Sequence, residues 1–181
     1  NLVQILGAEC GIRIPLNEAV AAEKHKRNNE LYLCQHHPDC LVRRMKELLE
    51  DAPKNIAQDG VRIGLPWAFL LDAGVPCTSR AGCSSKSEEH LNCVQDTMNG
   101  ILTGTATGDG FKAIHGVTKK HSPECFFLEC VEKMFQVKKA EEGSPPPISD
   151  GDFMATSLTL LGYIVWYVRF NHTVYGGISD R

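Results

Sequence analysis

The sequence predicts an α/β domain with a mainly parallel sheet, followed by a Pro-rich linker and a single transmembrane helix. Three observations carry that expectation. Apolar, strand-like runs alternate with helical patterns over residues 1–137, the order that builds parallel strands joined by crossover helices. "KKAEEGSPPPISD" (Lys138 to Asp150) then breaks the alternation with charges, Gly, Ser and three successive prolines, the composition of a semi-rigid extended connection. Sixteen uncharged, mostly apolar residues follow, Phe153 to Val168, bracketed by Asp152 and Arg169. The expected boundaries are therefore a domain over 1–137, a linker over 138–147 and a membrane segment over 148–181.

Taken in order, "NLVQILGAECGIRI" suits a buried strand and a tight turn. "LNEAVAAEKHKRNNELYL" is rich in Ala, Glu and Lys and predicts a helix or a strand-helix unit. "LVRRMKELLEDA" places Leu41, Met45, Leu48 and Leu49 on one helical face and predicts an amphipathic helix. "LPWAFLLDAGVPC" is a short apolar run that stops at Gly74 and Pro76, as a buried strand entering a loop does. Residues 78–110 are rich in Ser, Gly, Thr and Asn and predict loop, with a helix over Leu91 to Ile101. "SPECFFLECVEKMF" predicts a strand over Cys125 to Cys130 running into a short helix.

Composition narrows the function classes. At 181 residues the chain has room for one ordinary domain plus an appendage, and 43% hydrophobic content argues against disorder. A net charge of -3 supplies no basic footprint of the kind a dedicated nucleic-acid binder carries. The chain opens at Asn1 without a charged segment and apolar core of secretory type, which points to a processed or shortened form. Eight cysteines (10, 34, 40, 77, 83, 93, 125 and 130) permit four bridges in an oxidising compartment, with connectivity open. No C-x-x-C pair is present, so a zinc ribbon or thioredoxin-type motif is not expected. "CQHHPDC" gathers two thiols and two imidazoles between Cys34 and Cys40, but partner ligands at finger spacing are missing. A turn is favoured there, and no metal site is expected.

"LDAGVPC", followed about fifty residues later by "FFLECVEKM", carries a family resemblance. Residues 1 to about 135 resemble cytosine-C5 DNA methyltransferases, whose marks are a Pro-Cys loop after a central strand and a Glu-Asn-Val after the next. Pro76-Cys77 matches the first. Glu129-Cys130-Val131 matches the second, with Cys in place of Asn. "AAEKHKRN" resembles the segment whose acidic residue holds the cofactor ribose, which is Glu23 here, and "GTATGDGF" resembles the Gly-rich segment between the two catalytic loops. Arg43-Arg44 stand where the family has an acidic residue for the adenine, and "LGAECGIR" departs from its Gly-rich first turn. The resemblance implies a degenerate Rossmann-like fold. If active, Cys77 would attack C6 of cytosine, Glu129 would hydrogen-bond the ring, and S-adenosylmethionine would be the cofactor.

The tail carries a second resemblance. Phe153 to Val168 gives roughly 24 Å of helix at 1.5 Å per residue, near the lower limit of about 17 residues for a span. Tyr163, Trp166, Tyr167 and Tyr175 gather toward one end, as an interfacial aromatic belt does. Ile148-Ser149-Asp150, the run opened by Phe153, Arg169 and Tyr175 six residues on are similar to photosystem I reaction-centre subunit M. That resemblance implies a non-enzymatic accessory subunit of photosystem I, single-pass in the chloroplast thylakoid membrane, with the larger domain in the lumen. Its partners would be photosystem I core and antenna subunits and membrane lipid, with no nucleic acid. Chlorophyll a and carotenoid would contact Phe153, Leu160, Tyr163, Trp166 and Tyr167, and no soluble cofactor is expected. The alternative is a truncated or divergent cytosine-C5 DNA methyltransferase acting through Cys77, Glu129 and Glu23. Two Lys precede the span (Lys138, Lys139) and two Arg follow it (Arg169, Arg181), so charge does not decide its orientation.

Overall fold

Hydrogen-bonded strand pairs and short helices divide between two units in a computed structural model that describes residues 20–23, 26–36, 38–76, 92–137 and 147–168. The first unit lies within Asn1–Phe69 and Lys120–Glu124, the second within Leu70–Lys119 and Cys125–Arg181.

In the first unit, β1 (Val20–Ala22) leads into α1 (Lys26–His36) and returns as β2 (Cys40–Val42). β1 and β2 pair in parallel, Val20 with Cys40 and Ala22 with Val42. All three residues of β2 are fully buried. Asn55 explains why the chain stays extended there. Its side chain is fully buried, accepts the Leu41 N–H at 2.9 Å and donates to the Asp39 carbonyl at 2.8 Å. These bonds satisfy backbone groups that would otherwise be orphaned in the interior. The helix expected over "LVRRMKELLEDA" is accordingly replaced by β2 and a 3-10 turn, Met45–Leu49, with Leu48 its only buried residue. Pairing with β1 and the Asn55 bonds claim Leu41 for the sheet, so the four apolar positions never share a helical face. β3 (Lys54–Asn55) and β4 (Val61–Arg62) form a two-residue antiparallel pair. Lys120 donates to the Leu49 carbonyl at 2.6 Å and bridges to Asp51 at 3.0 Å.

In the second unit, β5 (Leu70–Gly74) and β6 (Cys125–Glu129) pair in parallel, from Leu70 with Cys125 to Gly74 with Glu129. Between them come α2 (Cys93–Met98) and α3 (Ala106–His121), whose last two residues belong to the first unit. Helix α3 starts inside the stretch expected to be loop, because Thr105 accepts the Gly108 N–H at 3.2 Å and the Asp109 N–H bonds to the Thr105 carbonyl. Phe111, Ile114 and Val117 form the buried stripe of α3, recurring at helical spacing. A 3-10 turn over Glu132–Phe135 follows β6 and buries Met134 completely. Finally α4 (Asp150–Thr159) packs on α2 and on that turn, with Met154 and Leu158 buried.

Two expectations about the fold are corrected. Among the described residues parallel pairing is present, but in two separate two-stranded sheets rather than one Rossmann-like sheet, and the third pair is antiparallel. Strands of three and five residues in two-stranded sheets do not make the continuous layer that such a fold requires. The transmembrane helix is also absent, since no helix of the described residues is long and apolar enough to cross a membrane. Helix α4 has ten residues, about 15 Å, against a hydrocarbon core of about 30 Å. It ends because Gly162 adopts a left-handed φ of 97°. The Gly162 N–H bonds to the Thr159 carbonyl at 2.9 Å and the Tyr163 N–H to the Leu158 carbonyl at 3.3 Å, the paired bonds of a Schellman stop. Tyr163 to Val168 continue without helix.

Candidate functional site

The carboxyl ends of two adjacent parallel strands place the most chemically suggestive residues of the second unit side by side. Pairing of Gly74 with Glu129 ends the β5–β6 ladder, and the Val75 N–H extends it by bonding to the Glu129 carbonyl at 2.9 Å. Val75 is buried and fixes the exit of the strand. Pro76 comes next, and because the Val75 N–H faces β6, the position of Pro76 faces away from it and its missing N–H costs this ladder nothing. Glu129 sits at the last position of β6 and is exposed. A Cβ on Gly74 would lie 3.4 Å from Glu129 Oε2, so the carboxylate leans over a strand position that carries no side chain.

Of the residues singled out for methyl-transfer chemistry, Glu129 and the Pro76 that precedes Cys77 are brought together in this way. Cys77 itself lies outside the described residues, as do Arg169 and Tyr175 of the tail pattern. Glu23 belongs to the first unit, where it follows β1 directly and is half-buried. Its N–H donates to the Val42 carbonyl at 3.0 Å, extending the β1–β2 pair to the strand ends. Arg43, which stands where the resembled family has an acidic residue, donates its backbone N–H to Glu47 Oε2 at 3.2 Å.

The residues expected to touch pigment are dispersed over a helix and the segment after it. Phe153 is half-buried on α4, and Leu160 and Trp166 are each 82% exposed. Tyr163 stacks edge-on against Phe126 of β6 at 5.1 Å, and Tyr167 does the same with Phe135 at 5.0 Å. Burial, then the nearby Cys125, pushes the Tyr163 hydroxyl above its ordinary pKa. Tyr167 is pushed the same way by burial, by the charge and hydrogen bond of Asp152, and by Cys130. Both tyrosines are therefore neutral anchors that hold the segment after α4 within the second unit.

The Ile148-Ser149-Asp150 motif has a structural role that its spacing did not disclose. Ser149 is the N-cap of α4, its Oγ accepting the Asp152 N–H at 3.0 Å. Asp150 is fully buried. Its Oδ1 accepts the backbone N–H groups of Val94 at 3.2 Å and Gln95 at 3.1 Å, and Cys93 Sγ lies 3.4 Å from Oδ2. Helix α2 has no side-chain cap from its own N-cap residue, Asn92, so this carboxylate supplies one from a distant part of the chain. An acidic residue beginning a helix after Ser is a cap signal, but nothing in the sequence ties it to α2.

Elsewhere, Cys34 is exposed on α1 and Cys40 is buried in β2, where burial raises its thiol pKa. Among the described residues no group of three His, Cys, Asp or Glu side chains converges to hold a metal ion. No family model matches the chain, and no curated protein or solved structure matches it either.

Proposed function

We propose that the second unit carries cytosine-C5 methyl-transfer chemistry, with Cys77 as nucleophile and Glu129 as the carboxylic acid that hydrogen-bonds the base. One observation supports this reading above others: the in-register parallel pairing that ends with Gly74 beside Glu129, one residue short of Val75-Pro76-Cys77. In α/β proteins ligands bind beyond the carboxyl ends of parallel strands, and β5 and β6 form one such pair, though of two strands only. In the reaction, the Cys77 thiolate adds to C6 of cytosine while Glu129 donates to the ring, and electron density collects at C5, the carbon to be methylated. Loss of the C5 proton and of the bond to Cys77 then restores the aromatic base. S-adenosylmethionine supplies the methyl group when bound.

The accessory-subunit reading required a helix that spans the bilayer, and α4 stops after ten residues. The segment beyond it is tied by Tyr163 and Tyr167 to Phe126 and Phe135, which favours a tail that completes the α/β unit.

The test is methyl transfer from radiolabelled S-adenosylmethionine to cytosine-containing oligonucleotides, single-stranded and duplex, by the full chain. Label should enter cytosine C5, Cys77→Ser should abolish it, and Glu129→Gln should slow it by about 10²–10⁴-fold. Absence of transfer to either substrate, or transfer that survives Cys77→Ser, contradicts the proposal.

A further inference from the structure

We infer that α2 has two alternative N-terminal caps, Asp150 and its own Asn92, and that exchange between them makes α4 a detachable strap on the second unit. The inference stands apart from the methyl-transfer reading and uses none of its residues. Asn92 occupies the N-cap position, its carbonyl already accepting the Asp96 N–H at 2.8 Å. Asn is among the strongest N-cap residues, and such a side chain bonds the N–H of the second or third helical residue. Those residues are Val94 and Gln95, and Asp150 Oδ1 takes both N–H groups, at 3.2 and 3.1 Å. Asn92 makes no side-chain cap bond, and its Oδ1 is buried without a partner among the described residues.

Gln95 shows the complementary defect. A cap residue followed three positions later by Gln has the pattern of a capping box, whose later side chain reaches back to the N-cap backbone. Gln95 stands at that position, and its Nε2 is likewise buried without a partner among the described residues. Burying polar atoms unpaired costs free energy, so docking Asp150 leaves a penalty on the two residues that would otherwise close the box. When α4 lifts away, the Gln95 N–H passes to Asn92 Oδ1, and part of the lost capping is recovered. Bonds to the Asp150 carboxylate are charge-assisted and stronger, which makes the docked state the dominant one. Docking also buries Met154 and Leu158 and seats Gly151 on the Phe135 ring, where a Cβ would fall 2.5 Å from Cε1. A helix of ten residues does not hold by itself in water, so α4 loses its backbone hydrogen bonds once detached. Helix α2 stays, capped by Asn92 and tied to the start of α3 by the Thr97–Thr105 hydrogen bond at 3.1 Å.

The test is amide hydrogen exchange of the full chain, read residue by residue under conditions where the rate reports the opening equilibrium. Asn92→Ala removes the cap of the detached state only. The α4 amides of Met154 and Leu158 should then exchange about fivefold more slowly, the factor that one N-cap contributes. Ile114 and Val117 in α3 should keep their rates. Asn92→Ser restores a capping oxygen and should return α4 to the native rate. In an Asp150→Ala chain, where Asn92 has no rival, the sign reverses: adding Asn92→Ala should speed exchange at Asp96 and Thr97 about fivefold. An α4 rate that rises or stays the same in Asn92→Ala overturns the inference. So does an Asn92→Ser chain that behaves like Asn92→Ala, the result that mere relief of a buried orphan would give. Equal α2 rates with and without Asn92 in the Asp150→Ala chain overturn it as well. Should Asp150→Ala not fold, Asn92→Ala and Asn92→Ser in the native background decide alone.

Discussion

Asp150 is buried beyond solvent contact while its carboxylate caps α2 through Val94 and Gln95 and its backbone opens α4. A negative charge at the exposed N–H groups of a helix start is favourable, and burial strengthens the interaction. Asp150→Ala leaves both donors without their acceptor, so it should lower unfolding free energy by about 2–4 kcal/mol in urea titration. Asp150→Asn retains an acceptor and should cost less. A second residue-level prediction concerns His115. Burial, then the charge of Lys119, lowers its pKa below the ordinary 6.5, only partly opposed by the hydrogen bond its ring donates to the Ser157 backbone carbonyl. The folded state thus binds the proton more weakly than the unfolded chain. Stability is full above the ordinary His value and falls as pH drops through the lowered one. His115→Gln should flatten that acid-side loss in a melting series from pH 7 to pH 5, and an unchanged slope would show that another group is responsible.

At the scale of elements, α4 and the stretch after it turn on one torsion. Gly162 holds a φ of 97° that costs an L-residue about 1–2 kcal/mol. Gly162→Ala should therefore destabilise the second unit by that amount, visible as a lower midpoint in urea without a change in slope. A rise in helix content with no loss of stability would mean that the helix can run on, as hydropathy suggested. The stop was legible in "LLGY", where a glycine after an apolar helical turn is a C-terminal signal. Sixteen consecutive uncharged residues outweighed it only because hydropathy averages over a window while a cap acts at one residue. The strands over Leu70–Gly74 and Cys125–Glu129 were readable, because apolar runs bounded by Gly and Pro carry their own signal. The false helix at "LVRRMKELLEDA" shows the limit. Asn55, fourteen residues after Leu41, decides its backbone state, and local periodicity holds no information about that bond. The Asp150 cap was illegible for the same reason, since it acts on partners 55 and 56 positions away.

Across the molecule, two units each contain a parallel strand pair with an acidic residue at or just after a strand end, Glu23 in one and Glu129 in the other. Net charge of -3 offers no broad attraction for a nucleic-acid backbone, so counterion release is expected to supply little of the affinity for a cytosine substrate. That makes salt a useful control: methyl transfer by this chain should depend on ionic strength less steeply than a phosphate-gripping enzyme would. The proposed pairing of Cys77 as nucleophile with Glu129 as acid is read out by trapping with an oligonucleotide containing 5-fluorocytosine in the presence of S-adenosylmethionine, because fluorine at C5 blocks the final elimination. A covalent adduct mapped to Cys77, absent in Cys77→Ser and much slower in Glu129→Gln, is the predicted result. No adduct with the folded full chain, or an adduct on any other cysteine, would contradict the account.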